Sequence, residues 1–479
     1  MSRVVRDSNF AVPGVYHVAR FLLSIIFLSL VSLFVQRVLK SVFFQVIAFL
    51  LIVSASNYPV VVPVNDTWRF GGAMAWWTIM DPLLRIAFLP HLLAGQSLIL
   101  FLILAGSDRA TLERRGNWIF LGIFGFILGM VFTPGLVFVG TVYGVLSLIE
   151  CIDILGSRPT KQEFFSWLGT NLLSRIIILA LSVPALFYYF HEFTVYPWKR
   201  LVELDILHPL PFTFPEYFYA LGITLPLGAL GLIMVFLRKA RGFFPVISWV
   251  LAWALLLFVF RYIPQQSPLR FSEMTPHVPL GILTMYLFSV ALIRGSGRRG
   301  NFFLGFLRHG FHFVLYMVLF IIIGLGLGNM YSSYLWQRDF YIMKIRAGWP
   351  AIPMNNYIVY PLRSFADAIG GIASVTGKDA VILSEVTAGN YIPAVAGRRV
   401  YIGHDNTVNR ETKDIYVKKF YRLQMTRQEA RNWMTEAGIT HVFWSVQEEE
   451  EGKGKKLTTV YPFLTEVLNI NNSILYAVK

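Results

Sequence analysis

The sequence predicts an α-helical multi-pass membrane domain of about ten spans followed by a small extracytoplasmic α/β domain. Three observations carry this prediction. The 479 residues are 56% hydrophobic and only 14% charged, with a mean hydropathy of +0.58, too apolar for a soluble chain of this size. Apolar runs separated by short basic turns fill residues 1–330. Beyond Gly328 the apolar runs shorten to strand length and alternate with amphipathic stretches across residues 331–479.

A spanning helix needs about 20 apolar residues, fewer when it leans on neighbours. Phe21 to Ala55 is too long for one span and is broken by Arg37 and Lys40, which predicts two helices and a basic turn. Further runs cover Leu83 to Ala105, Trp118 to Phe132, Gly135 to Ile152, Leu172 to Phe190, Tyr217 to Leu237, Phe244 to Tyr262, Val278 to Ile293 and Phe311 to Leu327. The formal charge of +15 is spread between these runs and not gathered on one element, so no nucleic-acid partner is expected. Alternate loops hold Arg37 and Lys40; Arg109, Arg114 and Arg115; Arg158 and Lys161; Arg238, Lys239 and Arg241; and Arg294, Arg298, Arg299 and Arg308. By the positive-inside rule these loops are cytoplasmic. Asn57 to Pro82, His191 to Glu216, the opening stretch and everything after Gly328 then face outward, rich in interfacial Trp and Tyr. That leaves Arg3 and Arg6 outside without a signal peptide to carry them, which predicts a further helix upstream.

In the second domain, strands are expected at Ala380 to Glu385, from Arg399 to Gly403, at His441 to Val446 and at Ser473 to Val478. Helices are expected at Tyr360 to Ser374, at Thr426 to Ala437, opened by Thr426 and Glu429 as a capping box, and at Leu457 to Leu468. Alternation of the two favours a partly parallel sheet covered by helices. The run EEEEGKGKK after Gln447 reads as a solvated loop. One cysteine, Cys151, excludes an internal disulfide and a cysteine-rich metal site. There is no Walker pattern, no GxGxxG after a strand and no Ser/His/Asp constellation. The glycines of IIIGLGLGNM, inside an apolar run, read as close helix packing.

Charged residues at a helix mouth are the signal that remains. RYIPQQSPLRFSEMTPHVPLGILTMYL lies between two apolar runs and carries Arg261, Arg270, Glu273 and His277. If the segment is helical, Arg270, Glu273 and His277 lie near one face. They can hold a ligand, or Arg270 and Glu273 can simply pair at the helix entrance. His91, in LPHLLAGQS, is either a ligand or a histidine packed against a neighbouring helix. Asp66 is either a base or part of an Asx turn. Asp81, followed by Pro82, reads as an N-cap, since Asp caps well and Pro fits the first helical position. His191, Glu192, Glu203, Asp205 and His208 lack metal-ligand spacing. Glu150 and Asp153 are expected at a cytoplasmic helix end, reaching water and Arg158.

Several stretches resemble a known family. NYIPAVAGRRVYIGH, then Glu411 and Thr412, then KKFYRLQMTRQEARNWMTEAGITHVFWSVQEEE resemble the C-terminal extracytoplasmic domain of a family of bacterial membrane proteins. That family is grouped with the GT-C-fold glycosyltransferases. PLRFSEMTPHVPLGIL resembles its arginine, acid and Pro-Leu sequence, and PEYFYALGITLPLGALGL an earlier Pro-Tyr-Phe-Tyr helix. The resemblance covers the chain from about Pro82 onward.

The resemblance implies sugar transfer, on the outer face of the cell (plasma) membrane, from a polyprenyl-phosphate-linked donor to a glycan or protein acceptor. It implies Arg270, helped by Arg261, as the grip on the lipid phosphate, because a guanidinium binds two oxygens at once. It also implies an acid in the first large outer loop, acting as base or holding a divalent metal ion, the one cofactor foreseen. Asp66 and Asp81 are the acids that loop supplies, and neither matches the family's catalytic arrangement. With the outward N-terminus, this predicts a catalytic loop upstream of Met1. Three classes follow: a hexosyltransferase, a noncatalytic relative binding lipid-linked glycan or a partner protein, and a transporter or flippase. The last would show paired repeats or broken helices with midplane charges.

Overall fold

The computed structural model describes residues 11–58, 60–64, 67–72, 74, 79–207, 210, 212–259, 268–294, 302–350, 361–404 and 406–479. The chain divides into two compact units, one of Tyr16–Val195 with Val202–Leu335, the other built chiefly on Trp336–Lys479.

The first unit is helical. It contains α1 (Ala11–Val38) and α2 (Val42–Ser54), a hairpin of β1 (Val60–Val64) and β2 (Thr67–Gly71), α3 (Pro82–Ala87), α4 (Pro90–Gly106), α5 (Arg109–Leu112), α6 (Arg115–Val131) and α7 (Thr133–Gly156). A π turn joins α8 (Lys161–Trp167) to α9 (Leu173–Ser182), and α10 (Pro184–Glu192), α11 (Lys199–Leu207), α12 (Phe214–Leu221) and α13 (Thr224–Leu237) follow. After α14 (Phe244–Val259), a 3-10 turn at Pro268–Glu273 leads into α15 (His277–Arg294) and then α16 (Phe302–Ala347).

Helices stand at each apolar run read from the sequence. Among the described residues, five helices are long and apolar enough to cross a membrane, or six if the bent pair α12 and α13 is one span. Val42–Ser54, Pro90–Gly106, Arg115–Val131 and His277–Leu292 are apolar but shorter. The bend of 82° in the pair falls at Gly222, whose φ of +64° suits glycine and where a Cβ would strike the carbonyl of Ser56. In the glycine-rich stretch of α16, a Cβ on Gly326 would strike the Ser54 carbonyl, so α16 and the end of α2 approach backbone to backbone.

The basic loops of this unit touch one another. Arg37 pairs with Asp108 at 2.9 Å, Arg109 donates to the hydroxyl of Ser166 at 3.4 Å, and Arg241 pairs with Asp153 at 3.0 Å. Glu150 corrects the sequence reading. It takes a two-pronged bond from buried Arg175 at 2.8 and 2.9 Å, with Trp167 and Asn171 donating to the same carboxylate. Its partner is therefore Arg175, one helix away, and not Arg158.

The second unit is a five-stranded sheet with helices on both faces. Its elements are α17 (Arg363–Val375), β3 (Val381–Leu383), α18 (Val386–Ala396), β4 (Arg399–Val400), α19 (Arg410–Tyr421), α20 (Arg427–Glu436), β5 (His441–Trp444), α21 (Val446–Glu451), α22 (Leu457–Val460), β6 (Leu464–Ile470) and β7 (Ser473–Val478). The strand order is β4-β3-β5-β7-β6, parallel for β4-β3-β5 and antiparallel beyond. Side chains alternate as strand geometry requires. Ile382, Phe443 and Leu475 pack with Phe365, Ile369 and Ile392, whereas Leu383, Val442 and Trp444 pack with Phe420, Tyr421 and Met434.

Two expectations fail here. The helix expected over Leu457 to Leu468 is a single turn, because Pro462 ends it and LTEVLNI then pairs with SILYAV. Asn471 and Asn472, at φ of +51° and +64°, form the two-residue turn of that hairpin. The EEEE run is likewise no loop: Val446–Glu451 is helical, and Glu448 is wholly buried.

Candidate functional site

The site lies in the first unit, at the end opposite the basic loops, where the Pro268–Glu273 turn enters α15. Arg270 is held there by an acid the sequence reading did not join to it. Its Nε and one terminal nitrogen donate to Asp205 of α11 at 3.3 and 3.1 Å. Glu273, expected as its alternative partner, is buried instead. Burial pushes the Glu273 carboxyl up to about 7, against the pull of the Arg270 charge.

His277 and Thr275 are fully buried, and neither ring nitrogen of His277 nor Thr275 Oγ1 has a hydrogen-bond partner among the described residues. Buried polar atoms are nearly always satisfied, so unpaired ones mark room for something else. The Arg85 charge acts on the His277 ring. Sequence reasoning passed over Arg85, yet it is the best-connected side chain of the region. Its Nε donates to the Ile79 carbonyl at 2.8 Å, and its terminal nitrogens donate to Ile52 at 2.9 Å and Ala55 at 2.6 Å. Its cation thus sits on the carbonyl end of α2, where the helix dipole favours positive charge.

Asp81 caps α3 through one oxygen, accepting from Leu83 N at 2.8 Å and Leu84 N at 2.9 Å, with Pro82 at the first helical position. Burial pushes its pKa up, while bonds from Ser333, Leu84 and Leu83 and the Arg85 charge pull it back. His91 is exposed at the start of α4 and is not packed inside. Asp66 and Arg261 lie outside the described residues.

The structure thus brings Arg270, Glu273 and His277 onto one turn and helix start, with Arg85 and Asp81 behind them. Chemically this is a partly dry corner in which two guanidinium groups, each beside a carboxylate, stand near unsatisfied neutral groups. Among the described residues no three His, Cys, Asp or Glu side chains are placed to hold a metal ion, Asp81 serves as a cap, and Asp205 is held by Arg270.

No family model matches the chain, and no curated protein sequence matches it. Solved structures of the Archaeoglobus fulgidus oligosaccharyltransferase overlap it loosely. AglB in complex with an inhibitory peptide and a dolichol-phosphate overlaps at 12% identity and a TM-score of 0.47, over 92% of this chain and 59% of that one. The enzyme tethered to an acceptor peptide gives 13% and 0.45, over 90% and 58%. The enzyme in complex with Zn and sulfate gives 14% and 0.43, over 97% and 61%. This chain spans less than two thirds of the length of each.

Proposed function

We propose that the protein is a membrane glycosyltransferase that passes a sugar from a polyprenyl-phosphate-linked donor to a glycan or protein acceptor on the outer face of the plasma membrane, with the second unit extracytoplasmic. One observation carries this reading: Arg270 stands at the mouth of α15 with two of its nitrogens fixed by Asp205. Asp205 sets the plane of the guanidinium, and the remaining terminal nitrogen can donate to a lipid phosphate arriving at the interface. His277 and Thr275 then supply neutral donors deeper in, beside the Arg85 charge. The resemblance of PLRFSEMTPHVPLGIL to the GT-C-grouped family agrees with this placement.

The base remains the weak member of the set. Asp81, as helix cap, can accept an acceptor's proton only at the expense of α3. That observation favours a second reading, a noncatalytic relative that binds the lipid-linked glycan or a partner protein. Transfer of radiolabelled sugar from a polyprenyl-phosphate donor in proteoliposomes tests both. Transfer that falls at least about tenfold in R270A, a loss of about 1.4 kcal/mol, supports the transferase. Donor binding without transfer supports the noncatalytic reading, and no donor binding by the unaltered chain removes the transferase and the glycan-binding relative alike.

A further inference from the structure

The second unit gathers acidic and unpaired polar groups at one end of its sheet, which the transferase reading does not use. Strands β3 and β5 are parallel neighbours, but the chain leaves them in opposite directions. After β3 it passes through α18 to β4 on one side, and after β5 it passes through α21 and α22 to β6 and β7 on the other. Such a reversal opens a crevice at the carboxyl ends of the two strands, the usual ligand position in sheets of this kind.

Ser384 and Glu385 follow β3 at this crevice, and Ser445, Gln447 and Glu448 follow β5. Glu448 is spoken for. Its carboxylate accepts from Ser445 N at 2.9 Å, Ser445 Oγ at 2.5 Å and Glu385 N at 2.9 Å, which ties the two strand ends together. The cations nearby are also spoken for: Lys418 pairs with Asp414 at 2.7 Å and Arg422 with Glu451 at 2.6 Å.

Glu385 is the carboxylate left over. It is 6% exposed, its Oε1 has no hydrogen-bond partner among the described residues, and it sits in the field of Glu448, Glu451 and Asp414, with Lys418 opposing. The buried Ser384 Oγ and Gln447 Oε1 are likewise without partners among the described residues. We propose that the carboxyl ends of β3 and β5 bind a primary ammonium group, with Glu385 as counter-ion and Ser384 Oγ and Gln447 Oε1 as further acceptors. An ammonium carries three donors and no acceptor, which matches three unsatisfied oxygens. An anion is repelled by the carboxylates, and the described acids make no group of three fit for a metal. Asp414, Lys418 and Glu451 at the rim are partly exposed, and a cleft of about 560 Å3 beside them includes Arg422, Glu451 and Lys453 in its wall. The site stands whether or not the membrane unit transfers a sugar.

Its pH dependence has a definite sign. Burial and the neighbouring acids push Glu385 up to about 7, so an ammonium ligand gains its counter-ion only as pH rises through that value. Saturation-transfer NMR on the full chain in detergent, with lysine amide and glucosamine as probes and glucose as uncharged control, is the test. At about pH 7.5 the ammonium probes give signal and glucose does not, and the signal falls at least about fivefold at about pH 5.5. E385Q abolishes it, whereas E451Q at the rim keeps about half or more. Signal from lysine amide alone points the site to a peptide amine, and signal from glucosamine alone points it to an amino sugar. Should E385Q fail to fold, S384A replaces it and weakens the signal about threefold. No ammonium signal from the unaltered chain, or equal signal in E385Q, overturns the assignment.

Discussion

Arg85 shows what single residues contribute at the carbonyl end of α2. A guanidinium enclosed among apolar helices stays charged only if its donors find acceptors, and here the acceptors are carbonyls of Ile52, Ala55 and Ile79. Replacing it by Met removes charge-assisted bonds worth about 1.5–3 kcal/mol each, so R85M is expected to lower unfolding stability in detergent by about 3 kcal/mol or more. Glu150 and Arg175 make the companion case. E150Q leaves Arg175 buried without its counter-ion, an expected loss of about 3–5 kcal/mol in the same unfolding measurement. Neither role was legible in the sequence, because both depend on atoms distant along the chain. Asp81 was legible as a cap because Asp-Pro encodes its function in two adjacent positions.

At the scale of elements, local chemistry was readable where it was self-contained. The capping box of Thr426 and Glu429 opens α20 as the sequence indicates, with Glu429 N donating to Thr426 Oγ1 at 3.3 Å. The β6-β7 hairpin was missed because LTEVLNI carries apolar residues at spacings a helix also accepts, and only the left-handed Asn471-Asn472 turn decides between them. Putting a β-branched residue into that turn, as in N472V, is expected to cost about 1–2 kcal/mol, read as a lower thermal midpoint. The buried end of β3 predicts a pH effect. The Glu385 carboxyl is raised to about 7 in the fold, so the folded state holds a proton that the unfolded chain gives up above about 4.5. Its stabilising contribution is therefore full below about pH 4.5 and lost as pH rises through about 7. E385Q should be neutral near pH 4.5 and stabilising near pH 8, by about 3 kcal/mol at most, in pH-dependent thermal unfolding.

For the molecule as a whole, composition alone indicated the membrane class, and the spacing of cations sets the orientation we propose. The contacts of Arg37 with Asp108 and of Arg241 with Asp153 join loops that the positive-inside rule assigns to one side. Hydropathy marks apolar runs and not helix length, as the 13-residue α2 shows. Orientation has a direct test: in a Cys151→Ser background, Thr213→Cys should react with a membrane-impermeant maleimide in intact cells, and Ser157→Cys only after lysis. The reverse pattern would invert the proposed topology.

The candidate site was half legible. Arg270, Glu273 and His277 stand out because charge at the mouth of an apolar run is costly, whereas Asp205, which holds Arg270, lies 65 residues away on α11. The measurement that tests the account most directly is binding of a polyprenyl phosphate to the full chain in nanodiscs, with and without Arg270→Ala. The account predicts affinity about tenfold weaker in R270A, with unfolding unchanged within about 0.5 kcal/mol for this partly exposed side chain. Equal affinity in the two proteins would contradict it.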